Sequence, residues 1–427
     1  MPSKKKRRLL TFYGLSMLLG ILVGLVAFLL RSFIKFLSYI QQGNFFTQSD
    51  LKWLWLVGIS CGFAYIAWYL VQRYAPEAAG SGVQEVEGRL LGLRPMNWRR
   101  LIPVKFLGAC FSISSKMLLG REGPTIQIGG NLGAMLAEKF KLNKTKTNIL
   151  IGAGAASGLA AAFNAPLAGV LFILEEMREH FKLSSTSFKS VMIACVFATI
   201  VIRVAFGNAP EIPMLHFQTP DPSYAFLFFI FGIFVGLVGW LFNSLIMTVL
   251  NTVSMMSRKA RLVYLLVVAG VIGLISYHYS HLVGGGYNII EESIHHSHTF
   301  EFIILVCIAR FALTIICYAT GIPGGVFAPL LAIGTIVGVL FGRLVVPVFF
   351  DLPEFVEIFA VAGMGGLFAA CIRAPVTGIV LIVEMTQNYL LILPLMITCI
   401  TATMVVQFAE NPALYRQLLF RIVNNEK

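Results

Sequence analysis

Charge is what this chain has least of. Only 12% of its 427 residues are Asp, Glu, Lys or Arg, while 57% are hydrophobic, and the mean hydropathy is +0.81. A soluble protein of this length could not hide so much apolar side chain, so the composition excludes a cytosolic globular domain and points to a polytopic membrane protein. Alternating strands of about ten residues are also missing, which excludes a transmembrane β-barrel. The seven cysteines form no C-x-x-C pair and their number is odd. All lie in apolar stretches, so they read as reduced packing residues with no disulfide or metal role. H-E-x-x-H and low-complexity runs are likewise absent.

What is present fits helices. Apolar runs at residues 9–30, 51–70, 191–206, 224–250, 262–276 and 302–318 have the lengths of membrane helices. Others are shorter and broken by Gly and Pro. The 39 glycines suit helices that pack closely or break within the bilayer. Net charge is +13, but the positives gather at 4–8, 89–105, 139–146, 178–189 and 258–261. The intervening loops at 41–50, 207–223 and 277–301 carry almost none. The positive-inside rule therefore puts the first set, and both termini, in the cytoplasm. This charge is a membrane signal, and no nucleic-acid partner is expected. No small-residue cleavage site follows the basic amino terminus, so the first helix reads as uncleaved. About a dozen residues follow Tyr415, too few for a cytoplasmic regulatory domain.

Against this background Gly120-Arg121-Glu122-Gly123-Pro124 stands out. A carboxylate at membrane depth costs roughly 2.5–3.5 kcal/mol on insertion scales, so such a residue marks a functional site by default. Pro124 opens a helix whose N-terminal N–H groups and dipole favour an anion. The motif predicts an anion site with a competing anion, Glu122, built in.

The chain also repeats. Glycines follow Gly120-x-x-x-Pro124 at 129 and 133, and follow Gly325-x-x-x-Pro329 at 334 and 338. Ala161-Ala162-Phe-Asn-Ala165-Pro166-x-x-Gly169 leads to Glu175. Ala369-Ala370-Cys-Ile-Arg-Ala374-Pro375-x-x-Gly378 leads to Glu384 at the same offset. Two matched motif pairs predict an all-α fold of two inverted-topology repeats with broken and re-entrant helices. The approximate halves are 10–205 and 222–420 of one membrane domain. In such a fold the paired, interrupted segments point at the binding site, here Glu122 and Val326–Phe327. Gly80-Ser81-Gly82 is a third break, preceding Glu85 and Glu87 in a short helix. Its hydroxyl and nearby N–H groups suit an anion, although Gly-Ser-Gly alone is an ordinary turn.

Gly80-Ser-Gly, Gly120-Arg-Glu-Gly-Pro124 and Gly325-Val-Phe-Ala-Pro329 resemble, in order, the three signature loops of the CLC chloride channel and transporter family. Phe163-Asn-Ala-Pro-Leu-Ala-Gly169, Glu175-Glu176-Met177 and Arg373-Ala-Pro375 fit as well. The resemblance runs from about residue 10 to 420 and is strongest to the bacterial proton-coupled branch. It implies a chloride/proton antiporter, not an enzyme, that needs no cofactor. It also implies a homodimer in the inner membrane of a prokaryote, with a pathway in each subunit. It further implies that the hydroxyls of Ser81 and Tyr415 and the backbone N–H groups of Val326 and Phe327 contact the central anion. By the same resemblance Glu122 is the gate, Arg121 and Gly123 border an outer anion position, and Glu176 is the inner proton-transfer acid. Without it, Tyr415 would read as an interface anchor and Glu175–Glu176 as a solvated helix end.

The resemblance leaves alternatives. A passive chloride channel is disfavoured by the presence of both Glu122 and Glu176. A fluoride exchanger is disfavoured because that branch departs from these loops, and a nitrate-preferring exchanger by Ser81. An intramembrane hydrolase would need a nucleophile–base pair or metal cluster within the spans. His295-His296-Ser-His298, beside Glu291 and Glu292, reads as a polar outer loop before it reads as a pH-sensitive or metal site. Gln84 stands where the family has proline, which predicts a looser helix start with Ser81 retained.

Overall fold

The computed structural model describes residues 4–42, 51–177, 181, 184–212, 221–295, 299–349 and 355–425. The fold is all-α. A first series of helices comprises α1 (Lys4–Gln42), α2 (Lys52–Tyr74), α3 (Val83–Leu91), α4 (Trp98–Ser114), α5 (Glu122–Lys139), α6 (Lys144–Phe163), α7 (Pro166–Glu176) and α8 (Ser185–Phe206). A second comprises α9 (Ala225–Met255), α10 (Arg258–His278), α11 (Tyr287–His295), α12 (Phe300–Ala319), α13 (Phe327–Phe349), α14 (Phe355–Ile372), α15 (Pro375–Thr386) and α16 (Ile392–Phe408). A last helix, α17 (Leu414–Asn425), follows. Nine helices among the described residues are long and apolar enough to cross a membrane.

The two series match element by element. Helix α1 packs on α8, and α9 on α16. Helix α5 packs on α6, and α13 on α14. The glycine spacing explains the last two pairs. A Cβ at Gly129 would strike the Gly154 carbonyl, and one at Gly334 the Gly363 carbonyl. One turn on, Gly133 abuts Leu150 and Gly338 abuts Phe359. Small residues thus let backbones meet where no side chain fits.

Ends are matched too. Asn164 and Arg373 leave α6 and α14 with φ of 55° and 63°. Pro166 and Pro375 then start α7 and α15, where proline's missing N–H goes unneeded. The halves clasp each other across this junction. Glu175 at the end of α7 accepts from Val376 N–H at 3.1 Å and Thr377 N–H at 2.8 Å, the first turn of α15. Glu384 at the end of α15 accepts from Leu167 N–H at 3.1 Å and Ala168 N–H at 2.8 Å, the first turn of α7. Each carboxylate satisfies orphan donors at a positive helix end. Glu175 therefore has a structural post.

Candidate functional site

Three Gly-rich loops converge. Gly120 N–H donates to Gly325 O at 2.7 Å and Gly325 N–H donates to Gly120 O at 2.8 Å. This reciprocal pair joins the approaches to α5 and α13. Gly324 N–H donates to Gly80 O at 2.9 Å, tying in the loop before α3. A Cβ at Gly123 would collide with Ser81, so glycine is required for α5 to reach that loop. The N-termini of α3, α5 and α13 therefore face one region, and the first N–H groups of each have no partner within their own helix. Such convergence favours negative charge without any titrating cation in contact.

On one side of this region lie hydroxyls. Ser81 Oγ donates to Tyr415 Oη at 3.5 Å, both residues fully buried. The Tyr415 ring stacks on Phe327, with centroids 5.7 Å apart. Val326 and Phe327 are fully buried at the start of α13. The structure thus brings together Ser81, Tyr415 and the adjacent Val326 and Phe327 from three separate stretches of sequence. It adds Tyr318, unmarked in the sequence, whose hydroxyl accepts the Ser81 N–H at 3.4 Å.

On the other side is Glu122, the first residue of α5 and fully buried. Its Oε2 lies against Gly120 and near Ala328 in α13. Its Oε1 accepts the Tyr287 hydroxyl at 3.0 Å. Arg121 lies over the Tyr287 ring, 5.1 Å from its centroid. The Arg121 Nη2 is 3.6 Å from Glu211 Oε2, and Glu211 Oε1 meets Arg31 Nη1 at 2.6 Å. A chain of alternating charge therefore runs Arg31–Glu211–Arg121–Glu122, and it offsets part of the penalty of burying these groups. Gly123, which follows Glu122 in α5, packs closely against Ser81.

Two cavities open nearby and share no lining residue. One, of about 680 Å³, is lined by Gly80, Gln84, Arg94, Tyr318 and Arg421, and so reaches the Ser81 loop. The other, of about 490 Å³, is lined by Glu87, Glu175, Glu176, Arg373 and Arg416. Helices α3 and α17 contribute residues to both, while Tyr415 on α17 is buried and lines neither. Glu176 and Ser81 are thus approached by different spaces.

Three expectations from sequence need revision. Lys105 belongs to the basic segment 89–105 expected in a cytoplasmic loop, but it sits fully buried within α4. There its Nζ donates to Ala78 O at 2.9 Å and Gly80 O at 2.7 Å, bracing the Ser81 loop from behind. Residues 277–301, expected as an outer loop, contain α11, which delivers Tyr287 to Glu122. Gln84 does not simply loosen α3, because its Oε1 accepts the Gly82 N–H at 3.1 Å and its side chain is buried. His295 ends α11, while His296 and His298 lie outside the described residues. The partners that the sequence missed had one available signal. Gly284-Gly285-Gly286 stands before α11 as Gly80-Ser81-Gly82 stands before α3.

A family model described as voltage gated chloride channel matches residues 63–407. The chain is 40% identical over 422 residues to an H(+)/Cl(-) exchange transporter ClcA of Vibrio vulnificus, covering 97% of this chain and 90% of that one. It is 40% identical over 412 residues to an H(+)/Cl(-) exchange transporter ClcA of Salmonella agona, covering 94% and 86%. Among solved structures, a slow cyanobacterial Cl-/H+ antiporter superposes with a TM-score of 0.92 at 36% identity, covering 97% of this chain and 98% of that one.

Proposed function

The chain belongs to the voltage-gated chloride channel family, and we propose that it acts within it as a membrane transporter exchanging chloride for protons. The observation that carries this reading is the seat of Glu122. Its carboxylate lies where the N-termini of α5 and α13 meet, the place best suited to an anion.

Chloride enters through the 680 Å³ cavity and meets the Ser81 and Tyr415 hydroxyls and the N–H groups of Val326 and Phe327. These donors are dipoles, so they attract the ion without trapping it. Ionised Glu122 occupies the next anion position and blocks the way. Protonation removes its charge, the side chain leaves, and chloride takes its place. Arg121 and Gly123 border that outer position. Glu176 delivers protons from the 490 Å³ cavity, so the two ions share Glu122 but arrive separately. The side carrying both cavities also carries Arg94, Arg373, Arg416 and Arg421, which suits the cytoplasm of a prokaryotic inner membrane, with both termini on that side. A homodimer with one pathway per subunit completes the reading.

The test is proton movement in proteoliposomes. An imposed chloride gradient should drive protons uphill. Chloride flux with no proton movement would leave only a passive conductance.

A further inference from the structure

The two halves treat their third helices alike. Before α3 the chain turns through Gly80 and Gly82, with φ of 59° and 87°, and buried Lys105 of α4 donates to the carbonyls of residues 78 and 80. Before α11 it turns through Gly284 and Gly286, with φ of 78° and 114°. There buried Arg310 of α12 donates to Leu282 O at 3.0 Å and Gly284 O at 3.2 Å. Gly284 N–H also donates to Lys116 O at 2.8 Å. Each loop is thus pinned by a buried cation from the following helix, and each presents one hydroxyl residue to the site. The α3 loop presents Ser81, and the α11 loop presents Tyr287. Ser81 faces the anion seat, whereas Tyr287 faces the gate.

We propose that Tyr287 is an outer latch, a positioning residue whose phenol donates to Oε1 of ionised Glu122 and holds it in the anion path. This rests on the reading of Glu122 as the gate. The geometry supports it in three ways. The O–H to carboxylate distance of 3.0 Å is a hydrogen bond, and one to a charged acceptor is stronger than one to a neutral acceptor. The ring is fixed from the far side by the Arg121 guanidinium, itself held by Glu211. The backbone that carries it is immobilised by Arg310 and Lys116. A donor so placed is ready in advance, so little order is lost when the carboxylate returns. Glu122 thus sits between Arg121 just before α5, Tyr287 on α11 and the N-terminus of α13, with Tyr415 of α17 beyond and Glu211 behind Arg121. Backbone N–H groups at the starts of α5 and α13 also serve this carboxylate, and Tyr287 is the neutral side chain that donates to it directly, a bond that breaks when the gate leaves.

Tyr287→Phe keeps the ring under Arg121 and removes only the O–H. The charged form of Glu122 then loses a donor, so the side chain takes up its proton at higher pH and leaves more readily. Chloride turnover in proteoliposomes should rise about tenfold at neutral pH, and the midpoint of its pH profile should move up by about one unit. Installing a monofluorotyrosine at 287, a stronger donor, should slow turnover and move the midpoint down. In a Glu122→Ala background, Tyr287→Phe should change nothing. If Tyr287→Phe leaves rate and midpoint unaltered, or moves both equally with and without the Glu122 carboxylate, the latch is refuted. If Glu122→Ala itself keeps proton coupling, the gate reading fails whatever Tyr287 does.

Discussion

Glu175 and Glu384 each cap the helix that carries the other. Glu175, at the end of α7, binds the start of α15, and Glu384, at the end of α15, binds the start of α7. The exchange makes the pseudo-symmetry a physical clasp. A carboxylate at a helix N-terminus contributes about 0.3–1 kcal/mol when exposed and up to ~2 kcal/mol when partly buried. Glu175→Gln and Glu384→Gln should each lower thermal stability in detergent by a similar amount, on the order of 1–2 kcal/mol. Neither should change the ratio of chloride to protons carried. If Glu175→Gln uncoupled the two ions while leaving stability intact, its post would be in the proton path instead.

Ser81 and Tyr415 are buried within reach of each other from opposite ends of the sequence. A hydrogen bond to a charged partner is worth about 1.5–3 kcal/mol. Ser81→Ala and Tyr415→Phe should therefore each weaken chloride binding by about tenfold or more, read by calorimetry on purified protein. The stack of Tyr415 on Phe327 is retained in Tyr415→Phe, so the loss is assigned to the hydroxyl. Unchanged affinity in both variants would remove these hydroxyls from the anion seat.

Lys105 satisfies two carbonyls of the turn that holds Ser81. Lys105→Met keeps the apolar stem but leaves Ala78 O and Gly80 O without that donor, at about 1–3 kcal/mol for each buried group. The variant should unfold at lower temperature and bind chloride more weakly. Lys105→Arg, which can still donate, should recover part of both. Full stability in Lys105→Met would show that the turn holds itself.

Much of this arrangement was legible in the sequence, for identifiable reasons. Gly120–Pro124 and Gly325–Pro329 carry glycines at matched offsets because α5 and α13 press backbone to backbone on α6 and α14, and close approach restricts residue type strongly. Glu122 was conspicuous because charge at membrane depth is rare. Tyr287 was not, although three glycines precede it, because Glu291, Glu292 and the nearby histidines give the segment the look of a polar loop, and α11 is too short for a span. Lys105 was hidden by its neighbours. Composition groups it with Arg99 and Arg100, whereas the helix turns it inward to carbonyls that only the fold supplies. Glu211 carries no local signal in its loop, and its partners Arg31 and Arg121 come from distant stretches of the chain. Residues set by backbone geometry leave a local signature. Those set by one long-range side-chain contact leave none.

The central claim is that proton and chloride pass through the single carboxylate of Glu122. It is tested most directly by the pH inside weakly buffered proteoliposomes under an outward chloride gradient. The unmodified protein should change internal pH against the proton gradient. Glu122→Gln, which stays neutral, should carry chloride with no pH change, and Glu176→Gln should do the same because protons no longer reach the gate. Proton movement that persists in Glu122→Gln, or that never occurs in the unmodified protein, would contradict the account.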